Sequence, residues 1–451
     1  MKPFRIGAGA GYAGDRIDPA GDLAEKGALN ALVFECLAER TIALAQLRRR
    51  HDPEAGYDPL LAERLRAVLP ACVAQGTTVI TNMGAANPLA AGRVALAVAQ
   101  ELQLPRLRVA VVTGDDVLPW LRENDQPLLD LPGSVHSLGD RVVSANAYLG
   151  ADALLTALRA QVDVVITGRV ADPSLFLAPL IHHFGWSLTD WHRLGQGLAV
   201  GHLLECAAQV TGGYLADPGR VDVPDLHRVG FPLAEVDASG AAVLTKLPGT
   251  GGRLDRLGCT AQLLYEVEDP AAYLQADVTG DFSAVRFVQE GPDRVRVEGA
   301  TGTARPEQLK VSVGYRDGYI GEGQISYAGP GAQARGELAA AVLKERLTNK
   351  RLFPAEQVGE WRTELIGVNA MHGTALGTDR VPYEVRVRLA ARCATPGVAA
   401  RIGQEVEALY LNGPAAGGGV TQSVREVVAV ASALVPREAV VPHCELMEWS
   451  S

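Results

Sequence analysis

The stretch GADALLTALRAQVDVVITGRVADPS, Gly150–Ser174, decides the fold. Its first half, GADALLTALRAQ, reads as a helix. Its second half is a near-continuous apolar strand that stops in Gly168, Arg169 and Asp172. A strand that is apolar on both faces belongs inside a parallel sheet covered by helices. The same unit recurs upstream. LRVAVVTGDD is an apolar strand that ends in Asp115 and Asp116, and TTVITNMG is a strand that ends in the polar turn of Asn82, with Asn87 just beyond. PFRIGAGAGYAGDR opens with a short strand, Phe4–Ile6, and runs into Gly7, Gly9, Gly11 and Gly14, then Asp15 and Arg16. LLAERLRAVLPACVAQG and AAGRVALAVAQELQL have helical periodicity. ALVFECLAERTIALAQLRRR also reads as a helix, with a basic end suited to a C-terminus. This alternation predicts an α/β domain with a largely parallel sheet.

The pattern changes near residue 215. AAVLTK, VRFVQ, RVRVEGA and KVSVGYRDGY are short strands divided by turns, so a mixed β region is expected over about 215–330, with a helix at 335–348. LTNKRLFPAEQ reads as a linker. TELIGVNAM, YEVRVRLAAR, GVAARIGQEVEALYL and VREVVAVASALV then read as strand, strand, helix, strand, a small α+β module. The expected division is therefore an α/β domain over 1–350 and an α+β module over 360–451.

Composition excludes several classes. The 451 residues carry 52 acidic and 42 basic side chains, net charge -10, which opposes general nucleic-acid binding. Apolar residues make up 47 %, enough for sizeable cores. No window approaches the roughly 20 apolar residues of a membrane span. The opening MKPFRIGAGAGY shows no leader pattern. Six cysteines at 36, 72, 206, 259, 393 and 444 form no CxxC pair. A reducing cytoplasm is the expectation, with no membrane and no nucleic-acid partner.

The apolar strands all stop in small polar clusters. In open parallel sheets ligands bind at the C-terminal strand edge, so Asn82, Asn87, Asp115, Arg169 and Asp172 are site candidates; equally, such residues make turns. Arg169 is suited to clamp a carboxylate and Asp172 to act as a base, or the two form a structural ion pair. In HLLEC, His202 and Cys206 would share a helical face with Glu205 near it. That triplet fits an activated thiol, a pair of metal ligands, or plain packing of a buried cysteine. Gln209 lies one turn on, before Thr211-Gly212-Gly213. GAGAGYAGDR embeds GxGxxG, but Asp15-Arg16-Ile17-Asp18-Pro19 delays the helix that a dinucleotide needs. A phosphate or carboxylate cradle of Gly9, Gly11, Asp15 and Arg16 fits better. In KLPGTGGRL, Lys246 precedes Gly249, Gly251 and Gly252, the wrong order for a Walker A loop, yet suited to a coenzyme A phosphate or to a plain hairpin. NGPAAGGGV, residues 412–420, is a third flexible loop, fit for a lid or a subunit contact.

GAGAGYAGDR, TNMGAANP, SANAYLGADALL, VVITGRVADPSL, AGHLLECAAQVTGGY, KLPGTGGRL, AQLLYEVEDPAAY, and NGPAAGGG with SVREVVAVAS resemble the acyclic terpene utilisation family, AtuA, in colinear order over nearly the whole chain. The resemblance implies a ferredoxin-like second module, and adds Asn146 of SANAYLG to the binding candidates. It also implies a cytoplasmic catabolic protein acting on an acyl-CoA or a branched carboxylic acid. The leading expectation is a hydrolase or lyase, with Arg169 and Arg16 on the anion and with Cys206, His202, Glu205, Asp172 and Asp115 as acid, base or nucleophile. A non-catalytic ligand-binding or assembly protein is the alternative, and a nucleotide-dependent enzyme the third. No cofactor is specified beyond coenzyme A as part of the substrate and a divalent metal at the acids. A small anionic substrate and a homo-oligomer complete the expectation.

Overall fold

A computed structural model describes residues 2–373 and 381–450. Its chain divides into two units, residues 1–315 with 430–451, and residues 316–429. The division differs from the one expected near 350–360: the second unit is an insertion, not a C-terminal domain. The segment 347–357 is no linker between units either. It joins a helix to a strand within the second unit, and its Phe353 is buried in that unit's core.

Unit one is built on a ten-stranded mixed sheet. Five parallel strands form its centre, in the spatial order Phe4–Ala10, Ala31–Phe34, Thr78–Thr81, Val164–Thr167, Arg106–Thr113. Their residues are almost all buried, because helices such as Leu61–Gln75 and Pro88–Glu101 cover them. Ala31–Phe34 corrects the reading of ALVFEC as helical. The helix starts only at Glu39, and the four apolar residues before it form a strand. On one side the sheet continues antiparallel through Pro232–Val236, Ala242–Lys246, Arg294–Glu298 and Arg286–Gly291. On the other side His443–Ser450 pairs antiparallel with Arg106–Thr113.

Unit two runs strand, helix, strand, strand, helix, strand. These are residues 319–328 of the long Gln308–Ala328 strand, Ala332–Thr348, Val358–Ile366, Glu384–Cys393, Pro396–Glu407 and the first part of Gly418–Pro436. Its sheet order is Val358–Ile366, Glu384–Cys393, Gln308–Ala328, Gly418–Pro436. Alternate residues Val385, Val387, Leu389 and Ala391 meet Leu343, Ile402 and Val406 of the two helices in one core. The strand and the helix that the sequence placed before this module are therefore its first two elements.

Candidate functional site

The C-terminal ends of the parallel strands carry the polar groups. Glu35 follows Ala31–Phe34, Asn82 follows Thr78–Thr81, Asp115 follows Arg106–Thr113, and Arg169 follows Val164–Thr167. All four are buried. Asn82 donates Nδ2–H to Glu35 Oε1 (3.0 Å) and accepts the Cys36 main-chain N–H at Oδ1 (2.8 Å). Leu37 N–H also donates to Glu35 Oε1 (2.8 Å). Both bonds to Glu35 thus fall on one oxygen.

Asp115 Oδ2 accepts the Arg169 main-chain N–H (2.9 Å) and Asn146 Nδ2 (2.8 Å). Burial, opposed by those donors, lifts its carboxyl to about 6. Asp115 therefore positions the backbone of Arg169. The Arg169 guanidinium stacks on the Tyr148 ring (4.6 Å), and donates to the carbonyls of Val170 and Leu37 and to Asp172. Most of its N–H groups are thus committed to the protein, where the sequence reading had it clamping an anion. Asp172 keeps 35 % of its side chain accessible, yet burial is the leading influence on it and pushes its carboxyl well up.

HLLEC does not form the helical face its spacing predicts. The helix Trp191–Leu204 ends before Cys206, which enters the short 3-10 turn Ala207–Gln209. His202 Nδ1 instead lies 2.8 Å from Glu205 Oε1, and its Nε2 lies 3.2 Å from the Leu263 carbonyl. Burial opposes the charged ring, but Glu205 outweighs it and raises the His202 pKa. Burial likewise raises Glu205, with His202 pulling the other way. The Cys206 thiol is driven up by burial and by Glu205, the opposite of the lowered pKa that a nucleophile needs.

Glu35, Asp172 and Glu205 all feel the charge of Arg169. Each is raised by burial first; the charge of Glu205 adds to Glu35, and both other carboxylates add to Asp172, while Arg169 pulls all three down. Glu35 was not among the sequence candidates. Its signal was four apolar residues stopped by an acid, the pattern of the neighbouring strands, hidden by the helix that follows.

The remaining candidates have these surroundings within the protein. Asp15 accepts the N–H groups of Gly11 (2.9 Å) and Arg16 (2.8 Å), and its main-chain carbonyl accepts from the buried Arg64 (3.2 Å). Arg16 donates to Asp18 and to the His227 carbonyl. Asn87 caps the helix Pro88–Glu101 and ties the carbonyls of Pro53 and Ala55. Lys246 is buried, bonded to Thr250 O (2.9 Å) and paired with Asp293 (3.2 Å), so it presents no charge to a phosphate. Gly9 makes room for the Phe34 ring, and Gly251 for the Asp225 carbonyl. Gln209, half-buried, donates its main-chain N–H to the Cys206 carbonyl. Gly11 alone of the glycine-rich turn touches the site: a methyl there would sit 2.4 Å from the Cys206 carbonyl carbon.

Among the described residues no group of three or more histidine, cysteine, aspartate and glutamate side chains stands where it could hold a metal ion. No helix among them is long and apolar enough to cross a membrane. No curated protein and no solved structure matches the chain. The family model described as "Acyclic terpene utilisation family protein AtuA" matches residues 4–446, nearly the whole length, and the chain belongs to that family.

Proposed function

We propose that the chain is a catabolic enzyme of acyclic terpene utilisation that performs acid–base chemistry, of hydrolase or lyase type, on an acyl-CoA thioester. Family membership suggests the pathway. The observation that carries the chemistry is the partly exposed Asp172 paired with the buried Arg169, with the charges of Glu35 and Glu205 reaching Asp172. Carboxyls raised by burial beside a guanidinium can give or take a proton at a bound substrate. Asp172, the most exposed of the three, is the base for a water or for a carbon acid. Glu35 is the acid, and Glu205 is held in place by His202. A free carboxylate would face three acids with Arg169 already committed, so an uncharged thioester suits the space better than a free branched acid. Asp115 and Asn146 fix Arg169 rather than touch the substrate.

The module of residues 316–429 is ferredoxin-like in this reading, supported by its two strand–helix–strand halves and its sheet order. Six free cysteines support a reducing, cytoplasmic setting.

The test is turnover of branched acyl-CoA thioesters by wild type, Asp172→Asn and Glu205→Gln, followed by chromatography of the products. The expected loss in each variant is roughly 10²–10⁴-fold in kcat, with the thioester still bound. Binding without consumption by the wild type would overturn the enzyme and leave a ligand-binding or assembly protein.

A further inference from the structure

The helix Arg256–Leu263 and the outermost strand of the large sheet, Arg286–Gly291, flank a groove of about 840 Å³. Its lining brings together Arg256 and Arg286, with Leu257, Val285 and Phe287 as an apolar wall. Neither guanidinium has a hydrogen bond or an ion pair among the described residues. The arginines around them do: Arg253 is paired with Asp255, Arg294 with Glu235, and Arg296 with Glu290 and Glu298. Asp255 is the only acid in the lining, and it is engaged. Its Oδ2 accepts Arg253 Nε (2.7 Å), and its Oδ1 accepts the Gly258 main-chain N–H (3.0 Å). On a chain of net charge -10, carboxylates are plentiful, yet these two guanidiniums share a groove without one. Each keeps its fork of N–H donors free for an anion.

Charge decides the class of that anion. A carboxylate brings a single negative charge, enough for one arginine. A phosphomonoester brings about -1.5 to -2 at neutral pH, with three strong acceptor oxygens, and so matches two. The wall beside the arginines is apolar, with Leu257 48 % exposed and Phe287 half-buried, and it suits the body that carries the phosphate. We propose that this groove binds an organic phosphomonoester, its phosphate on Arg256 and Arg286 and its apolar or aromatic body on Leu257 and Phe287. The far end of the same helix touches the buried histidine: Gln262 Nε2 donates to the His202 carbonyl (2.9 Å). Along the helix the two positions lie roughly 9 Å apart. A free nucleotide and the 3′-phosphate of a coenzyme A thioester carry the same chemistry, and the groove does not depend on the thioester reading above.

The test is calorimetric titration of the full chain with phenyl phosphate, inorganic phosphate, adenosine 5′-monophosphate and coenzyme A, for the wild type, Arg256→Gln and Arg286→Gln. Neither side chain has a protein partner, so both variants should keep the wild-type unfolding midpoint. Phenyl phosphate, the simplest phosphomonoester on an aromatic body, should bind the wild type more tightly than inorganic phosphate does, and more weakly as salt rises. Each substitution should weaken it roughly 10- to 100-fold, as loss of a charge-assisted hydrogen bond does. The tighter of adenosine monophosphate and coenzyme A, again through both arginines, tells which source supplies the phosphate. If phenyl phosphate does not bind, binds no better than inorganic phosphate, or binds the variants as well as the wild type, the groove is not such a site. Coenzyme A bound alike by all three proteins would sink the groove and leave the thioester reading standing. Phenyl phosphate and adenosine monophosphate bound through the arginines, with coenzyme A ignored, would sustain the groove and sink the thioester reading.

Discussion

Replacing Asp115 by Asn tests the electrostatics that place Arg169. Asp115 is 5 % exposed, and its carboxyl rises from the ordinary 3.8 to about 6. The folded protein therefore holds this proton more tightly than the unfolded chain does. Between about pH 4 and pH 6 the folded state binds more protons, so stability falls as pH rises, by up to about 1.4 kcal/mol per pH unit. Below that window both states are protonated and the cost is absent. Above it both are ionised, and the whole cost, about 3 kcal/mol, is present. Asn keeps an acceptor for the Arg169 N–H, and does not titrate. Urea unfolding of wild type and Asp115→Asn, side by side from pH 4 to pH 7.5, measures the difference. The wild type should lose about 3 kcal/mol relative to the variant across the window. Asp277, lifted by burial to about 6 with Ser174 and Ala151 as donors, titrates in both proteins and cancels. A difference that stays flat with pH refutes the reasoning, because Asp115 would then carry its charge at no cost.

Two further outcomes are expected. Cys206→Ser should leave turnover within about a factor of three, since the thiol is held protonated; a loss beyond about 100-fold would restore the nucleophile. Gly11→Ala forces a methyl onto Cys206 backbone atoms at 2.4–2.8 Å, where no side chain can rotate aside. It should lower unfolding stability by about 1–3 kcal/mol, read by denaturant titration, and an unchanged midpoint would mean that the two loops do not meet so closely.

Strand ends were legible where an apolar run stops in a polar or glycine-rich turn before the next helix begins. Asn82, Asp115, Arg169 and Asp172 stand where the sequence puts them, at the C-terminal edge of parallel strands. Their partners were not legible. Whether Arg169 reaches a ligand or the carbonyls of Leu37 and Val170 depends on loops far apart in the chain. Glu35 was missed because its four-residue strand runs almost directly into a helix, so one periodicity masked the other. His202 and Cys206 were paired by a spacing that holds only while a helix continues, and this one stops at Leu204. The division into units was misread for a related reason: contact between residues 1–315 and 430–451 leaves no local mark in either segment.

The insertion of residues 316–429 sets the order of biosynthesis. Translation delivers this unit whole before residues 430–450 have left the ribosome. Until they do, the strand Arg106–Thr113 waits without its antiparallel neighbour His443–Ser450. A nascent chain therefore passes through a stage in which one unit is finished and the other carries an unpaired sheet edge, the kind of surface that recruits other strands. Chaperone demand should concentrate on that interval rather than on the inserted unit.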